Sequence, residues 1–261
     1  MAEEQIRFDD GAGYERYMGA WSQLAGETFL DWLVPAAGVR WLDIGCGNGA
    51  FTELVATRCL PSAIDGIDPA AQQLEYARAR PLLREAKFQI GDAMALPFAN
   101  DCFDVAVMPL VIFFVPDPAR GVAEMRRVLR TGGIAGAYAW DMEGGGFPYA
   151  LLQEEMRKLD VSVPQAPSMS ASHIDVLRKL WIDAGFKDVQ VQQFTVDRTY
   201  PSFDEYWKIV LGGPSVGGKL KALGPEKTAQ LKARMQARLA VDAGGGIASN
   251  ARANAVKGVV G

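Results

Sequence analysis

The sequence predicts an α/β fold in which helices cover both faces of a mostly parallel, doubly wound sheet. Residues 39–44 read as a short buried strand, and glycines at alternate positions over 45–49 predict a tight turn after it. Strand-like and helix-like segments then alternate as far as residue 140, a pattern typical of right-handed β-α-β crossovers. Residues 103–108 are almost entirely apolar, as expected of an inner parallel strand. Together these observations indicate a Rossmann-like architecture.

The elements of this first half can be placed in order. Apolar runs bounded by polar residues or glycine predict strands at 39–44, 62–68, 87–90, 103–108 and 134–140. Helical periodicity predicts helices at 48–58, 69–80 and 117–129. Pro69 suits a first helical turn, and Thr131-Gly132-Gly133 predicts a glycine stop after the third helix. The carboxyl ends of the strands should share one rim, where such sheets bind ligands.

The two ends of the chain contain different elements. Aromatic and apolar residues over 14–33 predict an amphipathic helix that ends before Pro35. A helix at 172–184 and strands at 187–196 and 250–260 are predicted to complete the core. We therefore predict an N-terminal lid helix within 1–37, a core of 38–198 and 246–261, and an inserted helical cap at 199–245.

Composition and charge limit the kinds of molecule that this chain is expected to bind. The 261-residue chain has a net charge of −4 and a pI near 5.2, which argues against nucleic acid as the main partner. The longest apolar run is broken by Pro109 and is too short for a membrane span. The three cysteines show no disulfide or metal-ligand spacing, so no metal is expected and a reducing, cytoplasmic location is the expectation.

Three aspartates follow successive predicted strands. Asp43 comes just before the glycine turn and could bind an ammonium group. Asp68 ends the second strand and could accept both hydroxyls of a ribose, and Asp92 follows the third and could accept an exocyclic amine. Any one of them could be only a cap or turn carboxylate. Their recurrence at successive strand ends favours one nucleoside-like ligand.

The motifs at these positions resemble the class I S-adenosylmethionine-dependent methyltransferases, including those of ubiquinone and menaquinone biosynthesis. The matching segments, in order, are LDIGCGNG at 42–49, GIDPA at 66–70, GDAMALPF at 91–98, FDVAVMPLVIFFVPDP at 103–118 and VLRTGG at 128–133. The resemblance implies a seven-stranded sheet with a reversed final hairpin. It also implies S-adenosylmethionine as cofactor and a small molecule as the methyl acceptor.

The resemblance implies a role for each matching residue. Gly45 and Gly47 would approach the methionine part of the cofactor. Asp68 would hold the ribose and Asp92 the adenine amine. Further residues would pack around the adenine or lie near the sulfonium, namely Pro69, Ala93, Met94, Met108 and Pro109. Tyr14, Tyr17 and Trp21 are lid candidates from their position in the N-terminal helix, which could equally only cover a sheet edge.

The sequence identifies no clear catalytic base. Asp141 and Glu143 follow the fifth strand and are weak candidates, and the single histidine, His173, is expected to be structural or exposed. Aromatic residues around 113–114, 147–149 and 200–207 suggest an apolar or aromatic acceptor, although many of them could belong to the core.

Two other functions remain open. The spacing of Gly45, Gly47 and Ala50 also satisfies a dinucleotide-binding pattern, so a nicotinamide-dependent oxidoreductase is an alternative. The chain could also be a non-catalytic cofactor-binding protein on a methyltransferase fold. Nothing in the sequence sets its oligomeric state.

Overall fold

A seven-stranded sheet forms the centre of the molecule. The computed structural model describes residues 15–163, 165–213 and 216–261, apart from the side chains of Arg16 and Lys221, so Tyr14 lies outside the described residues. The strands, in chain order, are β1 Arg40–Ile44, β2 Ala63–Asp68, β3 Lys87–Ile90, β4 Phe103–Pro109, β5 Leu129–Trp140, β6 Lys187–Tyr200 and β7 Ile247–Val259.

The strand order across the sheet is β3-β2-β1-β4-β5-β7-β6. The first five strands pair in parallel, whereas β7 runs antiparallel to both of its neighbours. The order reverses at β1 and β4, so the crevice between their carboxyl ends is where a ligand is expected. The predicted mostly parallel, seven-stranded α/β fold is confirmed.

Helices cover both faces of the sheet. Their bounds are α1 Ala20–Leu33, α2 Ala50–Arg58, α3 Ala71–Ala79, α4 Pro118–Val128, α5 Ala150–Arg157, α6 Ile174–Asp183, α7 Phe203–Leu211, α8 Gly217–Ala222 and α9 Pro225–Arg238. Successive residues of β1 show why its sequence is apolar throughout. Trp41 packs on the α1 and α2 side and Leu42 on the α4 and α6 side, and both are fully buried.

The N-terminal helix begins with a π-helical turn, Glu15–Gly19, and continues as α1. Phe29 of α1 packs on Tyr138 of β5, with ring centroids 4.8 Å apart. Between β6 and β7 the chain forms α7, α8 and α9, and the division into core and cap stays a prediction. None of the helices in the described ranges has both the length and the apolar character needed to cross a bilayer.

The predicted glycine stop at 131–133 is wrong. Helix α4 ends at Val128 because Leu129 already adopts an extended backbone conformation, and β5 begins there. Gly132 and Gly133 instead belong to β5 and form backbone hydrogen bonds with Val260, near the other end of the chain. The Gly132 N–H donates to the Val260 carbonyl, and the Val260 N–H donates to the Gly133 carbonyl. A local helix-stop signal therefore gives way to a long-range strand pairing.

Candidate functional site

The glycine turn lies at the carboxyl end of β1. The N–H groups of Gly45 and Cys46 both donate to the Ile67 carbonyl, at 2.8 and 2.9 Å, which ties the turn to the end of β2. Gly45 has φ +72°, and a Cβ there would come within 2.5 Å of the Val111 side chain. This position therefore requires glycine.

Gly47 differs from Gly45 in what surrounds it. It has φ +51°, but a Cβ built on it would meet no protein atom within 4 Å. The open space beside it belongs to a cavity of about 420 Å³. A ligand in that cavity would lie directly against the backbone of the turn.

The cavity brings together nearly all of the predicted cofactor residues. Those that line it, from the ends of four neighbouring strands, are Asp43, Gly45, Gly47, Asp68, Pro69, Asp92, Ala93, Met94 and Pro109. The predicted meeting of strand ends at one rim is therefore present in the fold. Whether each residue contacts a cofactor stays a prediction.

Asp68 joins the turn to the start of α3. Its Oδ2 accepts from the Gly47 N–H at 3.0 Å, and its Oδ1 accepts from the Ala70 N–H at 2.8 Å. Partial burial raises the pKa of Asp68, while these two hydrogen bonds oppose the rise. A carboxylate can accept about four hydrogen bonds, so Asp68 keeps acceptor capacity for a ligand in the cavity.

Asp43 is a buried carboxylate with one unused oxygen. It is 2% exposed, and its Oδ2 accepts from the Thr52 hydroxyl at 2.7 Å. Its Oδ1 has no hydrogen-bond partner among the described residues, and neither has the Ser22 hydroxyl, which also lines the cavity. Burial raises the pKa of Asp43 to about 7; the Thr52 hydrogen bond opposes this rise, and the nearby Asp68 adds to it.

Asp92 is exposed at the rim and orders the loop after β3. Its Oδ1 accepts from the Met94 N–H at 2.8 Å, and the Met94 carbonyl accepts from Arg120 Nε at the same distance. These contacts hold Ala93 and Met94 at the edge of the cavity, opposite the glycine turn.

The far wall of the cavity is apolar. It is formed by residues that follow β4 and by one residue of β5, namely Pro109, Leu110, Val111, Phe114, Val115, Pro116 and Tyr138. Leu110 has φ +61°, an uncommon conformation for a non-glycine residue, and its N–H donates to the Tyr138 carbonyl at 2.8 Å. This bend turns the chain after β4 across the cavity.

Sequence reasoning did not identify several lining residues. Besides the apolar wall after Pro109, they include Ser22, Asn48, Phe51 and Gln73. Asn48 lies inside the glycine motif, so its position was a usable signal. Ser22 comes from α1, and only the tertiary packing of that helix brings it to the cavity.

Met108 does not line the cavity. It is fully buried on the opposite side of β4, where it packs with Ile112 and Val122 beneath α4. Side chains alternate along a strand, so Met108 and Pro109 face opposite sides of the sheet. Its predicted place near the sulfonium is corrected to a place in the core.

Tyr17 and Trp21 do not line the cavity either. Tyr17 stacks on Tyr149, with centroids 4.0 Å apart, and the Trp21 indole N–H donates to the Tyr200 hydroxyl at 3.1 Å. Contacts with aromatic residues of distant segments therefore hold the Tyr17 and Trp21 side chains away from the glycine turn. The helix reaches the turn through Glu15, whose Oε2 accepts from Asn48 Nδ2 at 2.8 Å.

The two weak candidates for a base also lie outside the cavity lining. Asp141 is 6% exposed and forms an ion pair with Arg252 at 2.7 Å, while Glu143 is exposed. Asp141 also accepts from the Gly144 N–H, so its role here is to hold the loop after β5. His173 is an exposed N-cap of α6 that accepts from the Asp175 N–H.

Comparison with known proteins gives one family and several relatives. Residues 42–136 match a family described as a methyltransferase domain. A rice chloroplastic 2-methyl-6-phytyl-1,4-hydroquinone methyltransferase is 34% identical over 155 residues, which is 59% of this chain and 41% of the rice protein. The chain spans about 34–42% of the length of the first curated relatives that it matches.

Solved structures share the fold at low identity. The Haemonchus contortus phosphoethanolamine N-methyltransferase 2, bound to phosphomonomethylethanolamine and S-adenosylhomocysteine, is 17% identical with a TM-score of 0.58 over 95% of this chain and 56% of that one. The cyclase SpnF is 22% identical with a TM-score of 0.56 over 92% and 81%. At these identities the likeness establishes the fold alone.

Proposed function

Because residues 42–136 match a family described as a methyltransferase domain, we propose that this chain transfers a methyl group from S-adenosylmethionine to a small molecule. The observation that carries the proposal is the single cavity shared by Asp43, Asp68 and Asp92 beside an open glycine turn. The three carboxylates lie at the carboxyl ends of three different parallel strands, so they would be spaced along one elongated ligand.

Two features of the cavity fit this cofactor. The space beside Gly47 has room for the methionine part against bare backbone. The buried, unpartnered Asp43 Oδ1 suits the cofactor's ammonium group, and the unpartnered Ser22 hydroxyl belongs to the lining of the same cavity. A cation there would compensate a carboxylate that is otherwise costly to ionise.

The remaining lining residues would hold the nucleoside. Asp68 would accept the ribose hydroxyls and Asp92 the adenine amine, with Pro69, Ala93 and Met94 around the ring. When bound, S-adenosylmethionine supplies a methyl group that its sulfonium already activates. The chain therefore contributes mainly by alignment and by exclusion of water, and alignment can recover roughly 7–11 kcal/mol of a barrier.

The apolar wall beyond Pro109 would perform both tasks. Leu110, Val111 and Phe114 would exclude water from the apolar end of the cavity. The neighbouring Cys46 is no substitute for a base, because burial raises the pKa of its thiol well above the usual value.

An apolar or aromatic acceptor is the class that we favour. The wall offers Phe114 and Tyr138, and the rice relative is named for a hydroquinone. A nicotinamide-dependent oxidoreductase is less well supported, because a dinucleotide would place its pyrophosphate on the glycine turn, where the carboxylate of Asp43 lines the cavity and would repel it. A non-catalytic role would be expected to close the cavity beyond Pro109, whereas the cavity continues to Pro116.

A transfer assay tests the proposal. The protein would be incubated with methyl-labelled S-adenosylmethionine and a panel of phenols, hydroquinones, aliphatic amines and carboxylic acids, and labelled product would be separated from the donor. We expect label on an aromatic acceptor, with equimolar S-adenosylhomocysteine. Binding of the donor without transfer to any member of the panel would favour the non-catalytic alternative.

A further inference from the structure

A cluster of aromatic rings with one arginine lies beside the cavity. We call it the tyrosine cluster, and its members are Tyr17, Trp21, Trp140, Tyr149, Arg198, Tyr200 and Tyr206. The rings form a continuous chain of contacts. Centroid separations are 4.0 Å for Tyr17–Tyr149, 6.4 Å for Tyr149–Tyr206, 5.2 Å for Tyr200–Tyr206 and 6.5 Å for Trp21–Trp140.

Arg198 lies among these rings. Its guanidinium carbon is 4.5 Å from the Tyr200 ring centroid and 5.8 Å from that of Trp21. Within the described ranges no carboxylate forms an ion pair with it. The aromatic faces therefore interact with the positive charge of the guanidinium. They do not accept hydrogen bonds from the N–H groups in the guanidinium plane.

Three polar groups of the tyrosine cluster are buried without a hydrogen-bond partner among the described residues. They are the Tyr17 hydroxyl, Trp140 Nε1 and Arg198 Nη1. A buried donor without an acceptor is costly, and native structures hold few of them. Three in one cluster indicate that an acceptor oxygen is supplied by a group other than the described residues.

The tyrosine cluster adjoins the cavity on the β5 side. Trp140 follows Tyr138 by two residues on the same strand, so both face the α1 side of the sheet, and Tyr138 lines the cavity. Trp21 is next in sequence to Ser22, another lining residue. The cavity itself, at about 420 Å³, is at the lower end of the roughly 300–1,000 Å³ typical of small-molecule sites, and one cofactor would largely fill it.

We infer that the tyrosine cluster is the acceptor subsite of the proposed methyltransferase, and that it takes a planar aromatic molecule bearing a hydroxyl, phenolate or carbonyl oxygen. The rings pack on the acceptor's ring, and the Tyr17, Trp140 and Arg198 donors bind its oxygen. This inference rests on the proposed function and adds the class of acceptor to it.

The positive charge of Arg198 favours an oxygen-bearing acceptor over a cationic one. Clusters of aromatic faces also suit ammonium ligands, but Arg198 already supplies a cation here, and a second one would be repelled. Burial raises the pKa of Tyr17, Tyr149 and Tyr206, so these hydroxyls are neutral and donate hydrogen bonds. An oxygen-bearing acceptor satisfies both conditions.

The acceptor takes its place by separating the stacked Tyr17 and Tyr149 rings. This movement would also break the hydrogen bond that the Tyr149 hydroxyl donates to the Tyr17 carbonyl at 2.7 Å. Tyr17 lies on the π-helical turn Glu15–Gly19, and π-helical turns are frequent at functional sites. That turn is the element expected to move.

Binding of defined probes to the protein loaded with S-adenosylhomocysteine tests this inference. The probes are 2-methylhydroquinone, p-xylene as a ring without oxygens, and 4-methylbenzylamine as a cation, and binding is followed by tryptophan fluorescence. We expect 2-methylhydroquinone to bind at least tenfold more tightly than either of the others. Equal affinities for the three probes, or no binding of 2-methylhydroquinone, would overturn the assignment.

Three variants locate the subsite. Arg198→Met should weaken 2-methylhydroquinone binding tenfold or more, whereas Arg178→Met, which changes an exposed arginine of α6, should not. Tyr17→Phe and Trp140→Phe should each weaken it several-fold. Tyr17→Phe should do so without lowering the melting temperature, because it removes a hydroxyl that has no partner among the described residues. Trp140→Phe also leaves a cavity in the core, so its melting temperature should fall.

The variants also separate this inference from the proposed function. Affinity for S-adenosylhomocysteine should be unchanged in all of them. Unchanged probe affinity in Tyr17→Phe and Trp140→Phe would refute the subsite even if Arg198→Met failed to fold. Failure of the unaltered protein to bind S-adenosylhomocysteine would instead refute the proposed function.

Discussion

The Asp43 carboxylate accepts a hydrogen bond from the Thr52 hydroxyl at 2.7 Å through one oxygen and leaves its other oxygen unpaired among the described residues. The pair joins the end of β1 to α2 across the glycine turn. A carboxylate that is 2% exposed with a single donor is costly to ionise, which is why its pKa is raised to about 7. Asp43 lines a cavity that a cation could enter.

The first prediction concerns stability and pH in the free protein. Because the pKa of Asp43 is raised from 3.8 to about 7, its contribution to stability is fully present below pH 3.8 and is lost as pH rises through 7. Asp43→Asn should therefore gain stability relative to the unaltered protein between pH 5 and pH 8, by on the order of 2–3 kcal/mol. Thermal or urea unfolding at both pH values measures it.

The exposed Asp175 provides the control, since its side chain is 83% exposed. Asp175→Asn should show no such pH-dependent gain. A constant difference between Asp43→Asn and the unaltered protein from pH 5 to pH 8 would contradict the raised pKa.

The second prediction links cofactor binding to protons. If the ligand's ammonium group pairs with Asp43, binding must ionise a carboxyl group that is largely protonated at pH 6.5. We expect S-adenosylhomocysteine to release roughly half a proton or more, seen as a dependence of the calorimetric enthalpy on the ionisation enthalpy of the buffer. Asp43→Asn should remove that dependence. The same buffer dependence in both proteins would place the ammonium group elsewhere.

The third prediction uses two glycines with similar backbone conformations. Gly47 has φ +51° and Gly38 has φ +74°, and a Cβ at either would meet no protein atom within 4 Å. Gly47→Ala and Gly38→Ala should each cost roughly 1–2 kcal/mol of stability, since alanine disfavours this conformation. Only Gly47 lines the cavity.

The two glycine variants should therefore differ in ligand binding. We expect Gly47→Ala to weaken S-adenosylhomocysteine tenfold or more and Gly38→Ala to leave its affinity unchanged, as measured by calorimetry. Equal affinities in the two variants would indicate that the cofactor does not lie against the turn.

The fourth prediction concerns Asp68. Its replacement by Ala removes the proposed acceptor of both ribose hydroxyls, and hydrogen bonds to charged groups contribute about 1.5–3 kcal/mol each. We expect S-adenosylhomocysteine to bind at least tenfold more weakly, with Asp175→Ala as the control. Because Asp68 also accepts from the Gly47 and Ala70 N–H groups, circular dichroism and the melting temperature should confirm that the variant is folded. Unchanged affinity in a folded variant would remove Asp68 from the ribose site.

The local sequence pattern was sufficient to predict the strands of the sheet. It was not sufficient to predict which face of the sheet each side chain occupies. The strands from β1 to β5 were predictable because their apolar runs and the turns between them are local signals. Met108 was misplaced because the face that a side chain takes depends on the phase of its strand within the sheet. The start of β5 at Leu129 depends on its pairing with Phe103 of β4, and the pairing of Gly132 and Gly133 with Val260 extends β5 past the predicted glycine stop; no local signal reports either contact.

The aromatic residues were misplaced for a related reason. Helical spacing correctly predicted a helix over Tyr17 and Trp21, but their partners Tyr149 and Tyr200 lie more than a hundred residues away. Their grouping around Arg198 is a property of tertiary structure alone. The bend at Leu110 was not predicted, because its positive φ leaves no mark in the sequence.

The central claim is that the cavity beside the glycine turn binds S-adenosylmethionine. Calorimetric titration of the protein with S-adenosylhomocysteine and, separately, with NADH tests it most directly. We predict that S-adenosylhomocysteine binds with 1:1 stoichiometry and that NADH gives no binding. Binding of NADH without binding of S-adenosylhomocysteine would contradict the account and favour an oxidoreductase.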